Sequence, residues 1–360
     1  MSASYTWVQW NRHKRVYDAA LLLLIVLFIA AYLAVSILST PADHATSPMI
    51  LLIRATGACA IVMLHLILAI GPLARLFPNR FAPLLYNRRH FGVAMFFVAL
   101  IHAALQTLWY GAFGKVDPFT ALFTMNTRID SWVGFPFEWF GLGALTILFF
   151  MAATSHDYWL KNLSPRWWKT LHMGVYVAYA LVVLHVALGV VQAERSLAYP
   201  LLIGGGAAGL MLLHLMAGLR EVKRDAQAEA RPASGWVDVA AVDEIPIDRA
   251  KVVKVRGCER IAVFRHGESG DKLSAVASVC AHQGGPLGEG KVVDGCITCP
   301  WHGYQYKPED GQSPPPYTEK IATYELRVEG QRVLLKPEPY APGTPVEPAT
   351  NGGKDVEGDE

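Results

Sequence analysis

Two short segments of this 360-residue chain each carry a thiol and an imidazole. They are Cys280-Ala281-His282 and Cys299-Pro300-Trp301-His302, with sixteen residues between them. Two thiolates and two imidazoles on a pair of loops suit a Cys2His2 zinc site. Gly284, Gly285 and Gly303 flank the segments. The five cysteines are too few and too clustered for a secreted disulfide framework. Cys258 and Cys296 read as buried strand residues. A second set of residues is His65, His90, His102, His172, His185 and His214, all in or at the edges of apolar stretches. Ligating groups in a bilayer are costly and point to function. His90 and His102 are 12 residues apart and His172 and His185 are 13 apart, or ~18 and ~20 Å along a helix. Two imidazoles facing across a bundle can take both axial positions of a haem. Two stacked haems would carry an electron through the membrane.

These residues need helices to hold them. The chain is 52% hydrophobic and only 17% charged, against ~25% charged in soluble domains. Six stretches, near 19–38, 52–72, 91–111, 138–155, 170–191 and 199–218, approach the ~20 apolar residues that a span requires. The first is longer than a signal-peptide core and reads as a retained helix. Lys and Arg collect on one side of the spans, 13 against 4, which puts both termini in the cytoplasm. In that topology spans three and five run the same way. His90 then matches His172 in depth, and His102 matches His185. A 12-residue step turns an ideal helix by ~120° and a 13-residue step by ~220°, so the two pairs would not point identically. His214 reads as a satisfied helix-end residue. Arg54 is placed either to meet a propionate or quinone or to snorkel to the interface. Gly204-x-Gly206-x-x-Gly209 fits a dinucleotide pattern but has no preceding strand, so it is discarded. Gly205-x-x-x-Gly209 instead predicts close helix packing.

Charge divides the chain. Residues 1–218 carry 14 Lys/Arg against 7 Asp/Glu, and the remainder carries 18 against 23. Nothing in this suggests nucleic acid. Residues 219–235 predict a helical extension and a linker. Short β-branched runs at Lys251–Arg256, Ile261–Arg265 and Leu273–Val279 predict a small all-β domain. The stretch 339–360 reads as a disordered tail.

The segments Gly284-Gly285-Pro286-Leu287 and Cys299-Pro300-Trp301-His302-Gly303 resemble the two cluster loops of Rieske [2Fe–2S] proteins. The resemblance covers about 236–338 and implies Cys280, His282, Cys299 and His302 as cluster ligands. High-potential members add a disulfide and a Ser hydroxyl; here Gly285, Trp301 and Tyr304 stand at those positions. Fewer hydrogen bonds to the sulfurs imply a lower potential, as in ferredoxins that serve oxygenases. No mononuclear-iron triad follows, so the domain is expected to carry electrons rather than to hydroxylate. Gly71-Pro72-Leu73-Ala74-Arg75, Asn87-Arg88-Arg89-His90-Phe91-Gly92, His102, Trp168-Lys169-Thr170-Leu171-His172, Tyr176 and His185 resemble the ferric reductase-like transmembrane domain. That family includes the haem-b membrane subunit of methionine sulfoxide reductase and the NADPH oxidase core. By this resemblance His102 and His185 share one b-type haem and His172 binds a second. The partner of His172 is His90, with His65 as rival.

The expected architecture is multi-domain: a six-helix transmembrane bundle over 19–218, after a cytoplasmic segment 1–18, and a small all-β Rieske domain over 236–338. The expected protein sits in a bacterial inner membrane with the Rieske domain cytoplasmic. A cytoplasmic NAD(P)H-dependent reductase would donate electrons. Ferric iron, quinone, oxygen or a periplasmic redox protein would accept them at the outer face. No catalytic residue is assigned. The alternative is a membrane-anchored ferredoxin without haem that feeds an oxygenase or desaturase.

Overall fold

The computed structural model describes residues 12–39, 46–77, 80–81, 84–85, 87–112, 116–132, 134–155, 165–193, 197–227, 229–230, 235–255, 259–282, 284–300, 303–315 and 317–350. His302, Trp301, Cys258, Lys115, Lys161, Arg195 and the stretch 351–360 lie outside the described residues. The chain divides into two compact units, one over 5–216 and one from Ala217 onward.

The first unit is helical. Its principal helices are α1 (Arg12–Ser39), α2 (Pro48–Leu76), α3 (Arg88–Ala112), α4 (Pro118–Thr124), α5 (Glu138–Ala153), α6 (Pro165–Met173), α7 (Val175–Leu188) and α8 (Gly206–Gln227). Among the described residues, five stretches are long and apolar enough to cross a bilayer: Lys14–Ser39, Pro48–Leu76, Arg88–Gly111, Thr170–Leu188 and Ala198–Lys223. The expected fourth span is α5. Its 16 residues rise ~24 Å, less than the ~30 Å of a hydrocarbon core. Pro48 opens α2 at a first-turn position, where a missing N–H costs nothing. α2 is the inner helix: half of its most apolar window is buried, whereas none of α1's is. It packs along α3, and α5 packs along α7. On α1, Leu22, Leu24, Val35 and Leu38 are each more than 60% exposed, a surface suited to lipid rather than to water.

Two expectations about helix geometry change. The predicted fifth span is broken at Gly174, whose N–H bonds to Leu171 O in a tightened turn. The ideal-helix phase between His172 and His185 therefore does not apply. In the last span, the close approach is made not by Gly205 and Gly209 but by Gly206, just after a π-helical turn at Leu201–Gly205. A methyl group at Gly206 would lie 2.2 Å from His65 Nε2, and nothing lies within reach of one at Gly205 or Gly209.

The second unit is built of short strands. These are β1 (Glu229–Ala230), β2 (Val237–Ala241), β3 (Arg249–Val255), β4 (Arg260–His266), β5 (Lys272–Ala277), β6 (Lys291–Val293), β7 (Cys296–Thr298), β8 (Gln305–Tyr306), β9 (Thr323–Tyr324), β10 (Leu326–Glu329), β11 (Arg332–Leu335) and β12 (Ala349–Thr350). One sheet runs β1-β3-β4-β5-β12 with β9 also on β5; the others are β10-β11-β2 and β6-β7-β8. Val237, Ile245, Phe264, Leu273, Ile297, Tyr306 and Leu335 fill the core between them. The three strand runs read from the sequence correspond to β3, β4 and β5.

The helical extension expected from residue 219 is the rest of α8, which runs to Gln227, and β1, in the stretch expected as linker, pairs in parallel with β3. One expectation is corrected. The expected disordered tail is ordered through Thr350. Tyr340, Gly343 and Val346 donate backbone bonds to Thr323, Ile321 and Glu309, and β12 pairs with β5. Polar composition misled here because this segment is held by its backbone rather than by apolar side chains.

Each such bond is worth ~1 kcal/mol. Truncation after Pro339 is therefore expected to lower the stability of the β-rich unit by about 3 kcal/mol, while truncation after Thr350 spares these contacts. Denaturant unfolding of the full chain, followed by near-UV circular dichroism, would measure both. A second expectation concerns pH. His266 is buried on β4, 2.9 Å from Ser274 Oγ, and burial holds its pKa below the usual 6.5. A depressed histidine must give up its proton to fold, so stability is full above 6.5 and declines as pH falls toward the folded value. His266→Gln should flatten that decline between neutrality and about pH 5 in the same unfolding measurement.

Candidate functional site

The two Cys/His loops share one backbone scheme. Cys280 N–H bonds to Gly285 O at 2.8 Å, and Gly284 N–H returns to Cys280 O at 2.7 Å. In the second loop, Cys299 N–H bonds to Tyr304 O at 2.8 Å and Gly303 N–H returns to Cys299 O at 2.9 Å. Gly284 and Gly303 take φ of +71° and +68°, the left-handed conformation these turns need. Both cysteines are buried. Thiol, imidazole and a run of turned backbone amides are the donor set that a two-iron cluster takes. Among the described residues no three ligating side chains converge, and His302 lies outside them.

Two side chains around the first loop, Tyr306 and Glu319, were not singled out from the sequence; Tyr304 was noted only as standing where a Ser hydroxyl would be. Tyr306 is buried on β8; its hydroxyl lies 3.3 Å from Cys280 Sγ and accepts the His282 N–H at 3.2 Å. Burial, and then Cys280 beside it, push the Tyr306 hydroxyl well up, so it remains a donor. The expectation of few hydrogen bonds to the sulfurs, drawn from Tyr304, thus needs one addition. Tyr304 itself stacks on the His282 ring, with centroids 4.5 Å apart and planes 11° from parallel. Its hydroxyl donates to Glu319. Burial pushes the Glu319 carboxyl upward, but the Tyr304 bond and backbone bonds outweigh it and hold the group low. A β-strand's alternation was the available signal for Tyr306: Gln305 faces out, so its neighbour faces the core.

In the helical unit the structure brings His102 and His185 together. Their ring centroids are 6.3 Å apart and their planes 82° from parallel. His102 Nδ1 donates to Ile53 O of α2 at 2.9 Å, and His185 Nδ1 to Phe137 O at 3.0 Å. A carbonyl only accepts, so Nδ1 carries the proton and Nε2 keeps its lone pair. A transition metal sits about 2.0–2.1 Å from an imidazole nitrogen, so two opposed ligands need ring centroids about 6 Å apart. Glycines floor both rings. A methyl group at Gly57 would lie 3.0 Å from His102 Cε1, and one at Gly141 would lie 2.8 Å from His185 Nδ1. Buried Glu138 accepts from Tyr110 Oη at 2.7 Å and Asn126 Nδ2 at 2.6 Å, anchoring the chain next to Phe137.

His172 lies on α6. Its ring stacks on Trp168 at 3.8 Å and its Nδ1 donates to Trp168 O at 3.0 Å. Its Nε2 is buried without a hydrogen-bond partner among the described residues. His90, in the first turn of α3, directs Nδ1 to the Asp18 carboxylate at 2.9 Å. His65 differs: its Nε2 is bonded to Tyr179 Oη at 3.0 Å, beside a cavity of about 250 Å³ lined by Val62, Leu66, Leu201, Leu202 and Gly206. His214 is likewise satisfied by Tyr176 Oη at 3.2 Å, within α8 rather than at its end.

Residues 55–183 match the ferric reductase like transmembrane component, and residues 235–325 match the Rieske [2Fe-2S] domain. The helical part is similar to the protein-methionine-sulfoxide reductase heme-binding subunit MsrQ of Herminiimonas arsenicoxydans, 34% identical over 163 residues, covering 44% of this chain and 69% of that one. The β-rich part is similar to the anthranilate 1,2-dioxygenase ferredoxin subunit of Burkholderia cepacia, 38% identical over 27% of this chain and 87% of that one. It is also similar to the ferredoxin component of the alkene monooxygenase system of Xanthobacter autotrophicus, 34% identical over 29% of this chain and 83% of that one.

The Tyr306 contact carries an expectation of its own. A hydrogen bond to a ligand sulfur stabilises the reduced, more negative cluster. Tyr306→Phe should therefore lower the cluster midpoint potential and leave the cluster bound, as read by redox titration of its EPR signal.

Proposed function

Because the chain belongs to the ferric reductase-like transmembrane family over its helical part and to the Rieske [2Fe–2S] family over its β-rich part, we propose that this membrane electron-transfer protein moves electrons from a cytoplasmic NAD(P)H-dependent reductase to an acceptor at the outer face. The acceptor is ferric iron, a quinone, oxygen or a periplasmic redox protein. The chain crosses the membrane six times, α5 included, with both termini and the Rieske domain in the cytoplasm. The helical domain extends over 19–218 and the Rieske domain from 236, its ordered part reaching beyond 338 to Thr350.

Cys280 and Cys299 would hold one iron of the cluster, and His282 and His302 the other. His102 and His185 would hold a b-type haem in the outer half of the membrane. His172, with His90, would hold a second in the inner half. Bound there, cluster and haem supply one-electron redox chemistry. The protein supplies the rest. Backbone carbonyls of Ile53, Phe137 and Trp168 fix the tautomer of three histidines and direct Nε2 inward. Gly57 and Gly141 leave room for the rings to stand where they do. Tyr306 supports the negative charge at Cys280. His90 is favoured over His65 because Tyr179 already occupies His65 Nε2.

The observation that carries this reading is the His102–His185 pair, 6.3 Å apart with both Nδ1 atoms tied to carbonyls. The competing reading, an anchored ferredoxin without haem, draws on the likeness to ferredoxin components of oxygenase systems. A dithionite-reduced minus air-oxidised visible spectrum of the purified full chain, with haem and iron quantified, separates the two. Sharp b-type bands at one or two haems per cluster are expected, and His102→Ala or His185→Ala should remove a haem and spare the cluster. A cluster spectrum without haem, from cells supplied with haem precursor, would overturn the relay.

A further inference from the structure

The geometry points to Asp18 as a positioning residue that orients His90 and strengthens it as a ligand of the inner haem. This rests on the reading of His90 as the partner of His172. Asp18 is the single acidic residue of α1 and lies outside the family match at 55–183. Its carboxylate straddles one ring nitrogen: His90 Nδ1 is 2.9 Å from Oδ1 and 3.1 Å from Oδ2. Both side chains are largely shielded, 27% and 21% exposed. Asp18 ends the polar start of α1 (Arg12, Lys14, Arg15, Tyr17), just before its apolar run, and a largely shielded carboxylate there is costly and calls for a purpose.

The contact differs in kind from its counterparts. His102, His185 and His172 each give Nδ1–H to a neutral backbone carbonyl. His90 gives it to a carboxylate. Charge-assisted hydrogen bonds are roughly twice as strong as neutral ones. A carboxylate behind a ligating imidazole draws the Nδ1 proton toward itself, raises ligand basicity and fixes the ring. A more basic ligand favours the ferric over the ferrous state. The one full negative charge among these four contacts therefore belongs to the inner pair. Asp18 biases the inner site to release an electron relative to the outer site, which is the bias that outward transfer requires.

A plain ion pair that only pinned α1 to α3 would change stability without moving a redox potential. Redox titration of the b-type bands in the full-length protein separates the two roles, the inner transition being the one lost in His172→Ala. In Asp18→Asn the inner ferrous-to-ferric ratio at fixed potential should rise about tenfold, equivalent to about 59 mV upward for one electron. The outer transition should stay in place, and Asp18→Glu should recover most of the shift. If Asp18→Asn does not accumulate, Asp18→Ser is titrated on the same criteria. An unmoved inner potential, with His90→Ala depleting one haem, overturns the role of Asp18 and leaves the haem assignment standing. Full haem content and unchanged spectra in His90→Ala overturn the assignment, and the role of Asp18 with it.

Discussion

A neutral imidazole has one proton for two nitrogens, and whatever claims that proton decides what the ring can bind. The helical unit is organised around this constraint. His102 reaches across to α2 and His185 to the residue before α5, so both tethers run between elements rather than along one helix. Helix placement and imidazole orientation are thus the same fact. If α2 slid by a turn, the Ile53 carbonyl would leave His102 and the glycine floor at Gly57 would move with it. The packing of α2 on α3 and of α5 on α7 therefore sets the chemistry as much as it sets the fold.

The β-rich unit solves a similar problem with backbone alone. Each loop ties its cysteine amide to the carbonyl five residues on, and closes with a left-handed glycine whose amide returns to the cysteine carbonyl. The two loops thus fold alike. The symmetry is broken by side chains: Tyr306 attends Cys280 and the His282 amide, while Tyr304, held by Glu319, covers the His282 ring. Such differences tune two chemically alike loops without changing how either folds.

The paired Cys/His segments and the helical and β-rich division were legible because each has a short-range signature. Cys-x-His and Cys-x-x-His spacing, ~20-residue apolar runs and β-branched alternation all lie within a few residues of one another. The pairing of His102 with His185 was also legible, from depth alone. What escaped were contacts that no local pattern encodes. Asp18 meets His90 across 72 positions and Tyr306 meets Cys280 across 26. The break at Gly174 hid inside an uninterrupted apolar run. The segment 341–350 looked unstructured because backbone pairing to β5 leaves no mark on composition.

α1 deserves a different kind of consideration. In lipid its apolar side chains gain nothing by leaving the solvent, since hydrocarbon solvates them as well as a neighbouring helix would. Its polar contacts to other segments include Asp18 on His90 and the Tyr32 hydroxyl on that of Tyr199. These two contacts lie 14 positions apart on α1, nearly four turns, so together they set both the rotation and the height of the helix. The greasy positions of α1 are thus physically interchangeable among Leu, Ile, Val, Ala and Phe, whereas Asp18 and Tyr32 act as punctuation, each legible only against its own partner.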